Sequence, residues 1–319
     1  MDGRNICIVG AGAVGLMLAA KFQTHHNVFV LTRPYRLKEL RSFPVKISGA
    51  QSIEVPPSTL RFIGPEELTS LPHDASFWLC VKAYDLEASI RELLPYWSTT
   101  NTVVVLSNGL GVFFQAATLI GKTSPVVRLC PEFGVQRLEP THVLLSGALK
   151  TMLAGVSHQK ENTALIREIL TSCSVLVEEE KDVATAEWKK IQINLTINPI
   201  CSILNCENNA IANNSKLRAL ATTVLSEINQ VAKADGFELG ANPEKRIIDS
   251  LEINGSNINS TLCDLRAGNK TEMDFMLGRF LRLAEDYDIP VPACRTLYAL
   301  FKFLEDRALN PAPAWEVAT

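Results

Sequence analysis

A short apolar run, Asn5 to Val9, enters the turn Gly10-Ala-Gly12-Ala-Val-Gly15 and continues into Leu16-Met-Leu-Ala-Ala-Lys-Phe22. Few folds accept this order of strand, G-x-G-x-x-G turn and helix. The run has the character of a parallel strand buried on both faces. The first glycine allows a tight turn, the second lets a pyrophosphate approach the backbone, and the third lets the helix pack close to the strand. Free N–H groups and a partial positive charge at the helix N-terminus then suit a phosphate. Residues 6–20 also have the length and apolarity of an export signal, but the glycine spacing, Asp2 and the strand that follows argue against one. An α/β dinucleotide-binding domain is the expected fold.

The second strand, Asn27 to Arg33, bears on which dinucleotide is bound. A domain that binds NAD usually ends this strand with Asp or Glu, which accepts hydrogen bonds from the ribose. Here it ends in Thr32-Arg33, with Arg36 and Lys38 close by. A carboxylate would repel a 2′-phosphate, whereas a guanidinium binds one through parallel charge-assisted hydrogen bonds. NADP(H) is therefore expected over NAD(H), with Arg33 as the phosphate ligand. The alternative is an Arg33 that stacks on adenine or faces solvent.

Further strands are read at Phe77 to Lys82 and from Thr102 into Asn108-Gly-Leu-Gly111, with a helix over 86–94 between them. Ligands of open parallel sheets sit beyond the carboxyl ends of the strands, which places Lys82 and Asn108 beside the glycine turn. An exposed strand-end lysine is the competing reading of Lys82. Residues 126–129, 143–145 and 151–154 are expected to complete the sheet. Val45 begins a variable excursion, and a short helix starts at Pro65.

From Asp182 the pattern becomes helical. Helices are read over 183–204, 213–235, 243–251, from Thr271 towards Tyr287, and over 295–305, with a cap region at 257–260 leading into 261–266. Within the first of these, Lys190, Asn194 and Asn198 are spaced four apart in an otherwise apolar stretch. Each such step advances only about 40° around the axis, so an ammonium and two carboxamides form one stripe. That arrangement suits a small oxygen-rich molecule. Pro199 predicts a kink or break. The domains are accordingly 1–180, binding the dinucleotide, and 181–309, helical and substrate-binding, with a mobile tail at 310–319.

A net charge of −3 leaves no basic footprint for nucleic acid, and no apolar stretch reaches membrane-spanning length. The eight cysteines are scattered without C-x-x-C or paired His, so neither zinc nor a disulfide framework is indicated. Cys7, Cys80 and Cys206 read as reduced core thiols, and the cytoplasm is the expected compartment.

The glycine turn, Val81-Lys82-Ala and Asn108-Gly-Leu-Gly111 occur in order with Trp188-x-Lys190-x-x-x-Asn194-x-x-x-Asn198-Pro199. Asn205-Cys-Glu-Asn208 and Asn257-x-x-Ser260-x-x-x-Asp264-x-x-x-Gly268-x-x-Thr271-Glu272-x-Asp274 follow. Taken together, nearly the whole chain resembles the ketopantoate reductase (2-dehydropantoate 2-reductase) family. The resemblance implies a Rossmann-type α/β N-terminal domain with a parallel-rich sheet, an all-α C-terminal domain and an active site in the cleft between them. It also implies NADPH-dependent reduction of ketopantoate to pantoate, towards pantothenate and coenzyme A.

On the same resemblance Lys190 matches the catalytic lysine and Glu272 the active-site glutamate. An ammonium near a keto group can polarise it and donate a proton, and partial burial eases that release. The plain reading, a helix-surface lysine, suits the neighbouring Lys189 better; for Glu272 it is a first-turn acid facing the helix dipole. Asn194, Asn198, Asn257 and Ser260 match substrate-holding positions, Asn208 less closely. Ser260 could instead be a helix N-cap and Asn257 a turn residue. Lys82 and Asn108 match cofactor-side positions, with Gly10, Ala11, Gly12, Ala13, Val14, Gly15 and Arg33.

Cys130-Pro131-Glu132 departs from the small, hydroxyl-rich turn common in the family and adds a carboxylate near the expected nicotinamide end. Reduction of another 2-keto acid, an opine-type reaction that joins an amine to one, and a non-enzymatic NADP(H) sensor are the competing functions. A homodimer is the expected assembly.

Overall fold

The computed structural model describes residues 3–156, 159–239 and 242–310, so the expected tail lies, beyond Asn310, outside the described residues. Two compact units divide the chain, Met1–Lys190 and Ile191–Thr319.

The first unit runs β1 (Asn5–Val9), α1 (Ala13–Phe22), β2 (Asn27–Leu31), α2 (Pro34–Ser42), β3 (Val45–Gly49), β4 (Ile53–Val55) and β5 (Arg61–Ile63). After a 3-10 turn come β6 (Ser76–Leu79), α3 (Ala83–Leu93), β7 (Val103–Val105), α4 (Val112–Ile120) and β8 (Val126–Pro131). Then follow β9 (Gly134–Glu139), β10 (His142–Ser146), β11 (Lys150–Gly155), α5 (Lys160–Ser172) and β12 (Leu176–Glu179). The main sheet has the order β12-β11-β8-β7-β6-β1-β2-β5. Its neighbours pair in parallel except β8 with β11. Ile8 of β1 lies between Val30 and Trp78, and all four residues of β6 are buried, as apolar runs covered on both faces require.

Residues 143–145 do form a strand, but not in this sheet. β10 pairs with β3 and β9 in a separate sheet ordered β4-β3-β10-β9. The cause is visible in its burial, with Val143 and Leu145 inside while His142, Leu144 and Ser146 are half-exposed. Such a strand covers one face only, and that face lies on α1. The excursion from Val45 supplies the other half of the same sheet. Leu16 and Met17 of α1 share one core with Val45, Ile47, Val143 and Leu145.

A long helix, α6 (Val183–Ile203), leads from the first unit into the second. None of its residues is exposed, although Glu187, Lys189, Lys190 and the two asparagines stand among its apolar residues. It continues through Pro199 instead of breaking there. The ring costs one intrahelical bond, and burial along the whole helix offsets that loss. The second unit continues with α7 (Ala210–Asn213), α8 (Ser215–Ala234), α9 (Pro243–Asn254), α10 (Ser260–Arg266), α11 (Leu277–Asp286) and α12 (Pro292–Leu309). Asn214 separates α7 from α8 by accepting from the Lys216 and Leu217 N–H groups. Glu227, buried on α8, accepts from the Ala293 and Cys294 N–H groups and so caps α12. No described helix is long and apolar enough to cross a membrane.

The helix expected from Thr271 starts later. Thr271 donates its N–H and its hydroxyl to buried Glu305, which holds this segment out of helical register. A 3-10 turn over Met273–Phe275 follows, and α11 begins only at Leu277. Glu272 therefore lies outside the first turn of a long helix.

Candidate functional site

The three glycines of the first turn have separate physical roles. Gly10 has φ +105°, a conformation that favours glycine. A Cβ on Gly15 would stand 2.0 Å from the Gly10 carbonyl oxygen, so only hydrogen fits between α1 and β1. Gly12, by contrast, faces open space, with nothing within 4 Å of a Cβ placed there. Ala13 and Val14 open α1, whose first turn carries no acid and no side-chain cap. An uncapped helix N-terminus beside an open backbone surface fits a dinucleotide pyrophosphate.

Arg33 immediately precedes α2, 67% exposed, with its guanidinium 3.9 Å from the Asp85 carboxylate. Arg36 is differently placed. It donates to the carbonyl of Ala11 in the glycine turn and, at 2.8 Å, to that of Pro140 between β9 and β10. Lys82 is half-buried at the residue before α3, not a solvent-facing lysine at a strand end. Asn108 is half-buried in a turn where Gly109 and Gly111 have φ of +141° and +73°.

Two charged residues that sequence reasoning missed tie this edge of the sheet together. Arg128 of β8 and Glu187 of α6 form an ion pair at 3.0 Å with side chains 2% and 1% exposed. The Glu187 carboxylate also accepts from the Gly111 and Phe113 N–H groups, at 2.6 and 3.0 Å. The Arg128 guanidinium donates to the Val105, Ser107 and Leu129 carbonyls. Burial pushes the Glu187 carboxyl up, while Arg128 and the two N–H donors pull it back. One warning was present in the sequence for Arg128, a lone charge inside an otherwise apolar buried strand, whereas Glu187 shares α6 with Lys189 and Lys190.

Lys190, half-buried, stands one turn beyond Glu187 on α6. Its neighbour Lys189, read as the plain surface lysine, is itself half-buried and paired with Glu180. Cys130 lies among these charges. Burial pushes its thiol up to about 11; Arg128 lowers it, Glu187 raises it, Lys190 lowers it and Glu132 raises it. The Glu132 carboxylate does not stand alone, because Lys150 approaches it at 3.3 Å while also pairing with Glu178.

In the second unit most of the remaining nominated residues hydrogen-bond to other polar or sulfur groups, in separate local sets. Asn194 donates to the Met276 sulfur at 3.7 Å, and the Met276 N–H donates to the Glu272 carbonyl. Glu272 itself is 4% exposed. Asn198 donates to the Thr261 hydroxyl at 3.3 Å. The Asn208 N–H donates to the Asn257 carbonyl, and the Asn208 side chain accepts from Asn259. Asn259, not Ser260, caps α10, accepting from the Leu262 N–H; Ser260 is exposed at the first position of that helix. Ser202, whose hydroxyl donates to Asn259, and Thr261 were not anticipated, since each resembles an ordinary helix-end residue; Asn259 lies within the expected cap region but was not singled out. A separate cavity of about 690 Å³ opens beside α7, α8 and α9, between Arg218, Leu225 and Ile247; none of the nominated residues lines it.

Sequence profiles described as ketopantoate reductase PanE/ApbA and ketopantoate reductase PanE/ApbA C terminal match residues 6–158 and 182–305. A protein of Archaeoglobus fulgidus named 2-dehydropantoate 2-reductase is 27% identical over 308 residues, covering 96% of this chain and 99% of its own. Among solved structures, a PanE/ApbA family ketopantoate reductase from Ralstonia eutropha matches with a TM-score of 0.82 at 24% identity, covering 95% of this chain and 99% of its own. A ternary structure of D-mandelate dehydrogenase with NADH and anilino(oxo)acetate also reaches 0.82, at 19% identity, covering 95% and 99%. These structural likenesses establish the fold, a parallel-rich sheet domain followed by helices.

Proposed function

The chain belongs to the ketopantoate reductase family and is an oxidoreductase acting on CH–OH groups, and from that premise we propose that it reduces 2-dehydropantoate to pantoate with NADPH. The observation that carries this reading is the tie between Lys190's helix and the Asn108–Gly111 turn at the carboxyl edge of the dinucleotide sheet.

A reduced nicotinamide, when bound, would supply the hydride for the keto carbon. In this reading the Lys190 ammonium hydrogen-bonds the keto oxygen, stabilises the charge that develops there and donates the proton. Asn194, whose amide rests on a thioether, can exchange that weak acceptor for a substrate oxygen at little cost. Asn198, Asn208, Asn257 and Ser260 are assigned to the carboxylate and hydroxyl of the keto acid, and Glu272 to a substrate hydroxyl. Gly10 to Gly15, Lys82 and Asn108 are assigned to the dinucleotide, with Arg33 on its 2′-phosphate. Lys150, shared between Glu132 and Glu178, offsets part of the negative charge that Glu132 adds beside Cys130.

The testing experiment follows loss of reduced-nicotinamide absorbance over a panel of 2-keto acids that includes ketopantoate, with NADPH and with NADH. Ketopantoate with NADPH should give the highest kcat/KM. A preference for another keto acid would move the assignment within the family, and a need for an amine would make the reaction opine-type. Tight NADPH binding without turnover on any member would point to a sensor. A reducing cytoplasm and a homodimer, measurable by sedimentation, complete the reading.

A further inference from the structure

We infer that the buried Arg128–Glu187 pair is a positioning device, which fixes the turn of α6 bearing Lys190 against the Asn108–Gly111 turn. The inference rests on the proposed role of Lys190 as proton donor.

Both charges are almost wholly removed from water, yet every hydrogen bond described for them runs to backbone or to the other charge. Glu187 receives the Gly111 N–H, the Phe113 N–H and the Arg128 Nε–H. Arg128 gives its other N–H groups to the carbonyls of Val105, Ser107 and Leu129. The Ser107 hydroxyl donates in turn to the Val81 carbonyl, the residue before Lys82. The ends of β6 and β7, the start of α4, strand β8 and helix α6 thus meet at one node.

Stability alone does not call for such a node. A buried ion pair gains little over apolar side chains of the same volume, because desolvation consumes most of the attraction. What it does supply is direction. A carboxylate held by three N–H donors and a guanidinium held by three carbonyls admit a single mutual placement. Lys190 is three residues, about 4.5 Å along the axis, from Glu187 and on the same face of α6, so the placement passes to its ammonium.

Glu187→Gln keeps side-chain volume and one acceptor oxygen but turns an amide donor towards one of the N–H groups. It should lower kcat by about 10- to 100-fold, as expected for misplacement of a reacting group. KM for the keto acid and the Kd for NADPH from nicotinamide fluorescence should change less than kcat does, by about threefold at most, because of the residues assigned to the dinucleotide only Asn108 lies in the turn that Glu187 holds, while the glycine turn lies on another strand. In a Lys190→Ala background the same substitution should cost less than about twofold more. Glu187→Asp, which keeps the charge but shortens its reach, serves if the first variant does not fold. A kcat within twofold of the parent, an equal loss in both backgrounds, or losses confined to KM and Kd would each overturn the inference. So would unfolding of both variants, which would assign the pair to stability. An inactive Lys190→Ala protein beside an unimpaired Glu187→Gln protein would remove this inference alone. Full activity in Lys190→Ala would remove the underlying reading.

Discussion

Arg33→Ala tests the reading of the cofactor, and its size follows from where the guanidinium stands. The side chain is 67% exposed and has one weak partner, Asp85 at 3.9 Å. A charge-assisted hydrogen bond contributes about 1.5–3 kcal/mol, or roughly 10- to 150-fold in a dissociation constant. Exposure to water and salt places the expectation at the lower end, about 10- to 30-fold for NADPH. Arg36 cannot take over, because its guanidinium is committed to the Ala11 and Pro140 carbonyls. NADH lacks the 2′-phosphate, so its affinity should fall less than about twofold. Asp85 competes with the phosphate for Arg33, and Asp85→Asn should tighten NADPH by about two- to threefold. Fluorescence titration with both cofactors, at low and at high salt, measures all of these, and the NADPH advantage should shrink as salt rises. Equal losses for NADPH and NADH in Arg33→Ala would refute the phosphate-ligand argument.

Lys190→Ala should reduce kcat by about 10²- to 10⁴-fold while NADPH affinity, read by titration, changes less than twofold; retained turnover would count against proton donation. Gly15→Ala would place a methyl group 2.0 Å from the Gly10 carbonyl oxygen, so α1 must move. We expect a melting temperature lower by roughly 5–10 °C and a weakened cofactor, checked by thermal unfolding with and without NADPH; an unchanged pair of values would contradict the packing argument. Asp274 gives a pH prediction. Burial raises its carboxyl, but hydrogen bonds from Tyr298 and Lys302 and the charge of Lys302 prevail, and the net shift is downward from 3.8. A depressed carboxyl contributes stability above that value and loses it as pH falls through the lower folded one. Wild type should therefore melt above Asp274→Asn at neutral pH, with the difference closing below about pH 4; a constant difference across the acid range would show that the charge is not responsible.

What was legible in the sequence was what local chemistry decides. Gly10 and Gly15 answer to atoms within a few residues or beside the adjacent strand, and the two-sided burial of β1 and β6 appears in their unbroken apolar runs. The lysine–asparagine stripe was readable because four-residue spacing on a helix has only one geometric meaning. Distant partners were not readable. β10 looked like a sheet strand, but nothing near it says that β3 and β9 are its neighbours. The helix expected at Thr271 yields to Glu305, a residue far along the chain that captures its N–H. Arg128 and Glu187 escaped notice because burial of a charge becomes reasonable only once its counter-charge is known. Asn259 displaced Ser260 as cap by one position, a margin that pattern reading does not resolve.

Helix α1 is largely shut off from water, with Ala13, Val14 and Lys21 partly exposed, because the main sheet covers one side and the β4-β3-β10-β9 sheet the other. Ribosomal synthesis adds about 5–20 residues per second, so the second cover is completed roughly 6–25 s after the helix itself has been made. Until Ser146 has emerged, an oily stretch near the amino end stays uncovered and open to chaperones or to a neighbouring nascent chain. The last strand of that small sheet thereby marks the earliest moment at which the glycine turn can become a stable piece of protein.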